Sequence, residues 1–214
     1  MARHPEQQPG RPSCPRNHGK TRSPSVKALV SLIALAAVLA GCQIRPTTTD
    51  TFTHPSQIEH WQMDGKLGYR TSNDGGSATF EWQQQPTRGD IRFSGPLGFG
   101  SAKLRWDPGR AELITAKQQY QARSPGELAW HLTGFWMPIS ALQYWARGLP
   151  WPGAPGEARY DENEQLIELE QLGWQLEFDR YQPVAGVSLP HRVKAQQNGN
   201  RFTLLIKQWA PGKP

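Results

Sequence analysis

The chain has 214 residues and a formal net charge of +6, from 24 Lys and Arg against 18 Asp and Glu. Such a balance points to a nucleic-acid or acidic-surface partner only if the charge belongs to the working domain. It belongs mostly to the first 41 residues, which hold six basic side chains and one acidic; 18 and 17 remain from residue 42 onward, and the nucleic-acid reading loses its basis.

The leader has the layout of a signal peptide. A basic run from Lys20 to Lys27 precedes the apolar stretch Ala28 to Ala40, which is too short for a stable transmembrane anchor. Residues 1–19 are long and Pro-rich for such a leader and are assigned no function. The leader ends in Leu39-Ala40-Gly41-Cys42, which resembles the lipobox of bacterial lipoproteins. There the Cys thiol takes a diacylglycerol, becomes the first mature residue and receives an N-acyl chain. Each buried CH₂ contributes about 0.8 kcal/mol, so more than one chain holds a protein stably on a membrane. Gln43, rather than Asp, follows the Cys. By the sorting rule of such lipoproteins this resembles cargo sent to the outer membrane. The other cysteine, Cys14, leaves with the leader, so no disulfide framework is expected.

Residues 1–41 are thus expected to be removed, residues 42–57 to form a polar flexible tether, and residues 58–214 to form one domain. From Trp61 the residues alternate: Trp61, Met63, Gly65, Leu67 and Tyr69 on one face against Gln62, Asp64, Lys66, Gly68 and Arg70 on the other. That is the period of a half-buried strand. Ser72 to Gly76 predicts a turn, and Ala78, Phe80 and Trp82 repeat the pattern, giving a first hairpin. Ile91 and Phe93 continue the apolar face, Ala102, Leu104 and Trp106 resume it, and weaker strands run through Leu113 and Tyr120. Between them, Gly95 to Gly100 sets Leu97 and Phe99 among glycines. They either fold back onto the core or form an exposed apolar tip that enters another apolar phase.

At Ser124-Pro125-Gly126-Glu127 the pattern changes to a capping box, predicting a helix with Leu128 and Leu132 on one side and an end near Gly134. A second short helix is expected over 140–147, stopped by Gly148. Strands then return at Leu166 to Glu170, at Trp174, Leu176 and Phe178, and at His191, Val193 and Ala195. Asn198-Gly199 marks a hairpin into Phe202, Leu204 and Ile206. The fold class is mainly β: a curved antiparallel sheet or partial barrel, with a helical insert covering one mouth or face.

No catalytic constellation stands out. The mature histidines have no partner at metal-ligand spacing, no nucleophile elbow or phosphate loop occurs, and an esterase or two-carboxylate hydrolase is a distant reading. No enzyme activity, metal or cofactor is expected. The aromatic content is more informative: all nine Trp follow residue 60. On a single strand such rings read as core. Their number points instead to a roomy apolar cavity for acyl chains, with Trp61, Leu67, Phe80, Trp82, Phe93, Trp106, Leu128, Leu142, Trp145, Trp174 and Phe178 as candidate lining.

From Trp61 to Trp209 the chain resembles the LolB family of outer-membrane lipoproteins. The resemblance lies in Gly65-Lys66-Leu67, Phe80-Glu81-Trp82-Gln83, Gly95-Pro96-Leu97-Gly98 and Ala122-Arg123-Ser124-Pro125 with Glu127-Leu128. It continues in Pro138-Ile139-Ser140-Ala141-Leu142 with Tyr144-Trp145, Arg147-Gly148-Leu149-Pro150, Gly173-Trp174 and Leu189-Pro190, together with the lipobox. It implies an unclosed antiparallel β-barrel of about eleven strands with helices over an apolar cavity. It also implies a lipid-anchored monomer on the periplasmic face of the outer membrane, acylated at Cys42. Such a protein would accept lipoprotein cargo from a LolA-type periplasmic carrier and insert it into outer-membrane lipid, with Leu97, followed here by Phe99, as the membrane-insertion tip. The alternative from another class is an outer-membrane-anchored binding protein for free lipid or a hydrophobic small molecule.

Overall fold

Residues 51–95, 101–133 and 136–212 are described by the structure, a computed structural model. The alternating segments form strands β1 (His60–Arg70), β2 (Gly75–Gln84), β3 (Gly89–Ser94), β4 (Ser101–Asp107), β5 (Arg110–Thr115) and β6 (Gln119–Ala122). Helices α1 (Pro125–Thr133) and α2 (Ile139–Trp145) follow. The chain returns to strands with β7 (Gly156–Tyr160), β8 (Leu166–Gln171), β9 (Trp174–Asp179), β10 (Gln182–Val184), β11 (Val187–Leu189), β12 (Arg192–Gln197) and β13 (Asn200–Gly212). Eleven of these make one sheet in the order β6-β5-β4-β3-β2-β1-β13-β12-β9-β8-β7, while β10 and β11 form a separate hairpin.

The order follows from hairpin chemistry. Each strand from β1 to β6 pairs antiparallel with its predecessor, and the chain then crosses through α1 and α2 to the opposite edge, β7. From there the strands return until β13 pairs with β1 in the middle of the sheet. The edges β6 and β7 are not paired with each other, so the barrel is unclosed and the helices belong to the connection between its free edges. Sequence reading anticipated this class and the turn at Asn198-Gly199, whose φ angles of 49° and 78° are the left-handed pair that a two-residue hairpin requires.

Helix α1 starts where the capping box places it, the Glu127 amide donating to Ser124 Oγ at 3.4 Å. Its buried side, Leu128 and Ala129, packs on β4, β5 and β6. The second helix begins at Ile139, one residue before its expected start, and leads to Gly148, whose φ of +72° ends the turn. Strand β7 and the β10–β11 hairpin had no sequence signal. All five β7 side chains are exposed, as on an edge strand wetted from both sides, so no alternation marks them.

One bulge shapes the centre of the sheet. Register shifts between Asp64, opposite Gln208, and Gly65, opposite Ile206, leaving Lys207 as the extra residue. The bulged backbone comes so close that a β-carbon on Gly65 would lie 2.0 Å from Leu205 O, whereas one on Gly68 would meet nothing within 4 Å. Gly65→Ala should therefore cost about 2–3 kcal/mol in urea unfolding, as overpacking does, while Gly68→Ala on the same strand should stay within about 1 kcal/mol of the native protein.

Candidate functional site

The inward residues of the strands make one apolar surface. Along β1 every second side chain from Trp61 to Tyr69 is buried, and Ala78, Phe80 and Trp82 lie beside them on β2. Opposite them in register on the far side stand Phe202, Leu204 and Trp209 of β13. Four indoles form a run at one end. Trp61 lies 5.1 Å from Trp82 and 5.3 Å from Trp209 between ring centroids, and Trp82 lies 6.1 Å from Trp106, all tilted or edge-on. On the other half Trp174 stands 5.2 Å from Phe202.

All eleven residues expected to line a cavity fall within this cluster or pack against it. Phe93 and Trp106 are half-buried; Trp61, Leu67, Phe80, Trp82, Leu128, Leu142, Trp145, Trp174 and Phe178 are buried. Trp209 and Ile58 belong to the same cluster and were not anticipated. Period two from Ile206 would put Gln208 inside and Trp209 outside; the extra residue at Lys207 reverses this. Cys42, Leu97 and Phe99 lie outside the described residues. The residues on either side of the segment holding Leu97 and Phe99, Ser94 and Ser101, pair with each other at the same end of the sheet as the β1–β2 turn.

Three buried polar side chains hold the frame of this surface. Gln171 Oε1 accepts from Trp145 Nε1 at 2.8 Å and from the Trp151 amide at 2.9 Å, while its Nε2 donates to the Trp151 and Ala154 carbonyls, both at 2.8 Å. It therefore ties α2, the loop before β7 and the end of β8 together. Gln84 Oε1 accepts from Trp82 Nε1 at 3.0 Å. Arg147 is buried against carbonyls rather than a carboxylate: it donates to Ile58 O at 2.6 Å and to Gln143 O at 3.1 Å, and its guanidinium sits 5.0 Å from the Tyr144 ring centroid. Burial lowers its pKa, an effect opposed by Tyr144 and Glu59. Among the described residues, Trp61 Nε1 and His191 Nε2 are buried without a hydrogen-bond partner.

Arg147 also reaches the chain before the domain. Residues Pro55–Gln57 form a 3₁₀ turn capped by His54, and the Phe52 amide donates to Ala185 O at 2.8 Å. The chain is thus already docked at Phe52, six residues before the domain start expected from composition.

The opposite face of the sheet is polar. Cross-strand ion pairs line it, among them Lys194 with Glu177 at 2.7 Å and both Lys103 and Arg105 with Asp90 at 3.0 Å. Two grooves there, of about 940 and 610 Å³, are lined by charges of both signs such as Arg70, Glu177 and Lys194 in one and Asp64, Glu81 and Arg92 in the other. Among the described residues no cluster of His, Cys, Asp or Glu is arranged to hold a metal ion.

An incompletely closed antiparallel barrel with one sheltered apolar face, behind a lipobox, defines a β-rich bacterial lipoprotein. The family model described as outer membrane lipoprotein LolB matches residues 59–209, and the chain belongs to the LolB family, whose place is the outer membrane. The outer-membrane lipoprotein LolB of Pseudomonas paraeruginosa is 43% identical over 157 residues, covering 73% of this chain and 77% of its own. That of Pseudomonas fluorescens is 38% identical over 194 residues, covering 86% and 94%. Among solved structures, a DUF1329 family protein from Desulfovibrio piger superposes with a TM-score of 0.52 over 73% of this chain and 88% of that one. At 7% identity it shows a shared fold alone.

Gln171→Leu should leave the Trp145 and Trp151 donors unpaired in the interior and lower stability by roughly 3 kcal/mol, at about 1–3 kcal/mol per orphaned group. Chemical denaturation measures this. Tyr181 donates to Leu166 O at 2.6 Å, and its burial raises the phenol pKa far above the ordinary value of 10.0, with Asp161 and Tyr160 adding to the shift. Because the folded value lies above the unfolded one, its stabilisation is complete below about pH 10 and declines as pH climbs beyond that. Stability measured against pH should fall above pH 10 in the native protein and less steeply in Tyr181→Phe.

Proposed function

We propose that the protein receives lipoproteins from a LolA-type periplasmic carrier and inserts them into the outer membrane. The observation that carries this reading is the sheltered apolar face, walled by Trp, Phe and Leu and overlaid by α1 and α2, in a member of an outer-membrane lipoprotein family. Acyl chains of the cargo take the place of ring–ring and ring–helix contacts between the sheet and the two helices. Trp61, Leu67, Phe80, Trp82, Phe93, Trp106, Leu128, Leu142, Trp145, Trp174 and Phe178 form the lining. The work is done by relative affinity: no bond is made or broken, so neither a catalytic group nor a cofactor is needed beyond the diacylglycerol and N-acyl chains on Cys42. The protein acts as a monomer, and Trp61 Nε1, a buried donor without a hydrogen-bond partner among the described residues, is available to a cargo ester or amide carbonyl.

Release into lipid falls to the segment between Ser94 and Ser101, with Leu97 as the tip and Phe99 beside it. An apolar tip enters the acyl region readily, and a carboxylate there resists entry. Mixing the protein with cargo-loaded carrier tests the assignment. The native protein should take the lipoprotein over, whereas a mere binder of free lipid leaves it on the carrier. Leu97→Glu should fold and accept cargo like the native protein yet release it poorly into vesicles; unchanged insertion by that variant would remove the tip from the mechanism.

A further inference from the structure

Helix α1 has an outer side that is exposed among the described residues. Leu128 and Ala129 face the sheet, while Glu127, Trp130 and His131 face solvent. Trp130 is 53% exposed, and so is Trp136 just beyond the helix; the other seven indoles are buried or half-buried. Trp136 covers the first turn of α1, where a β-carbon on the buried Gly126 would stand 3.1 Å from Trp136 Cζ2. Gly126 and Trp130 are four residues apart on one helix face, and a helical side chain leans toward the N-terminus, so Trp130 leans toward the turn that Trp136 covers. Two half-exposed indoles at one helix are an unusual use of the largest apolar side chain in a domain that buries or half-buries its other seven.

Their position relative to the tether gives the patch a partner. Register pairs run across the sheet from Trp61 to Gln84, Gly89, Trp106, Ala111 and Ala122, the residue that leads into α1. The first turn of α1 therefore lies at the same end of the sheet as the start of β1. At that end the chain is clamped, through Phe52 to Ala185 O and Arg147 to Ile58 O. Only nine residues, 43–51, separate Cys42 from the docked Phe52, a span of at most about 36 Å of extended chain. The end of the sheet that carries the first turn of α1 is thus held within that distance of the lipid.

Size separates a bilayer from a protein partner. The exposed parts of the two rings sum to on the order of 250 Å². A specific protein interface needs about 800 Å² from each side. For a surface already held close by an anchor the demand is smaller, because tethering raises the effective concentration of the second contact. Trp is also the side chain that settles at headgroup depth, its ring in the apolar boundary and its N–H in the wet layer. The charges on either side of this turn in sequence, Arg123 before the helix and Glu127 on it, are one of each sign and form no acidic block that would repel lipid headgroups.

We propose that Trp130 and Trp136 form an interfacial membrane contact that lays the outer side of α1 against the bilayer holding the Cys42 anchor. It rests on the reading of Cys42 as lipidated and goes beyond the insertion tip. The test reconstitutes the full lipidated protein into phosphatidylcholine vesicles, with and without bromine on the acyl chains, and measures tryptophan quenching. Native protein should be quenched by the brominated lipid, and W130A/W136A should lose more than half of that quenching. Trp130→Ala alone, at an exposed site that packs on nothing in the core, should lose part of it and guards against misfolding of the double variant. Equal quenching in native and double variant overturns the contact. So does shielding of the two rings from acrylamide that requires added carrier, which would make the patch a protein-docking surface. The carrier-mixing assay on the same preparations separates this inference from the proposed function. A native protein that accepts cargo without being quenched loses the membrane contact and keeps the function; one that is quenched without accepting cargo does the reverse.

Discussion

The pairing of β1 with β13 is the interaction on which the remaining structure depends. It joins the two ends of the domain in the middle of the sheet, across a chain separation of about 140 residues, after which both halves grow outward by hairpins. Closing so long a loop is costly in chain entropy, and such non-local pairing forms slowly. The ladder offsets this by length and by packing: β1 and β13 contribute Trp61, Met63, Leu67, Phe202, Leu204, Ile206 and Trp209 to one apolar face. The bulge at Gly65 lies in this ladder, so the local bend and the inward turn of Trp209 arise where the two halves meet.

The free edges follow from the same arrangement. With the chain ends paired at the centre, the middle of the sequence supplies both outer strands, and the segment joining them must pass from β6 to β7. That segment carries α1 and α2. The helices thereby come to lie against an open apolar face, and Gln171 and Arg147, both in or beside this crossing, supply the polar bonds that hold it. Gln171 has four neutral partners, and the hydrogen bonds of Arg147 go to backbone carbonyls. A cover held this way is specific in geometry, while its contact with the sheet is mostly apolar and non-directional. This is the kind of contact that acyl chains can replace.

Much of the fold was legible in the sequence because period two is strong wherever one face is wet. Trp61 to Arg70, Ala78 to Gln83 and Trp174 to Asp179 each alternate without interruption. The lipobox and the capping box at Ser124 were legible for a different reason: their chemistry is local, confined to a few adjacent residues. What escaped had no local signature. Strand β7 is exposed along its whole length, and the β10–β11 hairpin turns at Ala185-Gly186 with three residues on either side. Trp209 was hidden by the bulge, whose cause lies 140 residues away. The docking of Phe52 was hidden by composition, since a polar Thr-rich stretch reads as a tether until a carbonyl and an arginine are seen to hold it.

By itself the sequence determined the class of the molecule: a secreted, lipid-modified, mainly antiparallel chain with nine indoles and almost no net charge in its domain. Those are properties of composition, of short motifs and of alternation, which need no partner in space. Only the tertiary structure decided which indoles share the sheltered face and which two stand outside it. It also decided that the tether is clamped at the end of the sheet where α1 begins, and that the polar grooves belong to the opposite face. These depend on register and on the crossing between the sheet edges, and register is set by pairings between residues far apart in the chain.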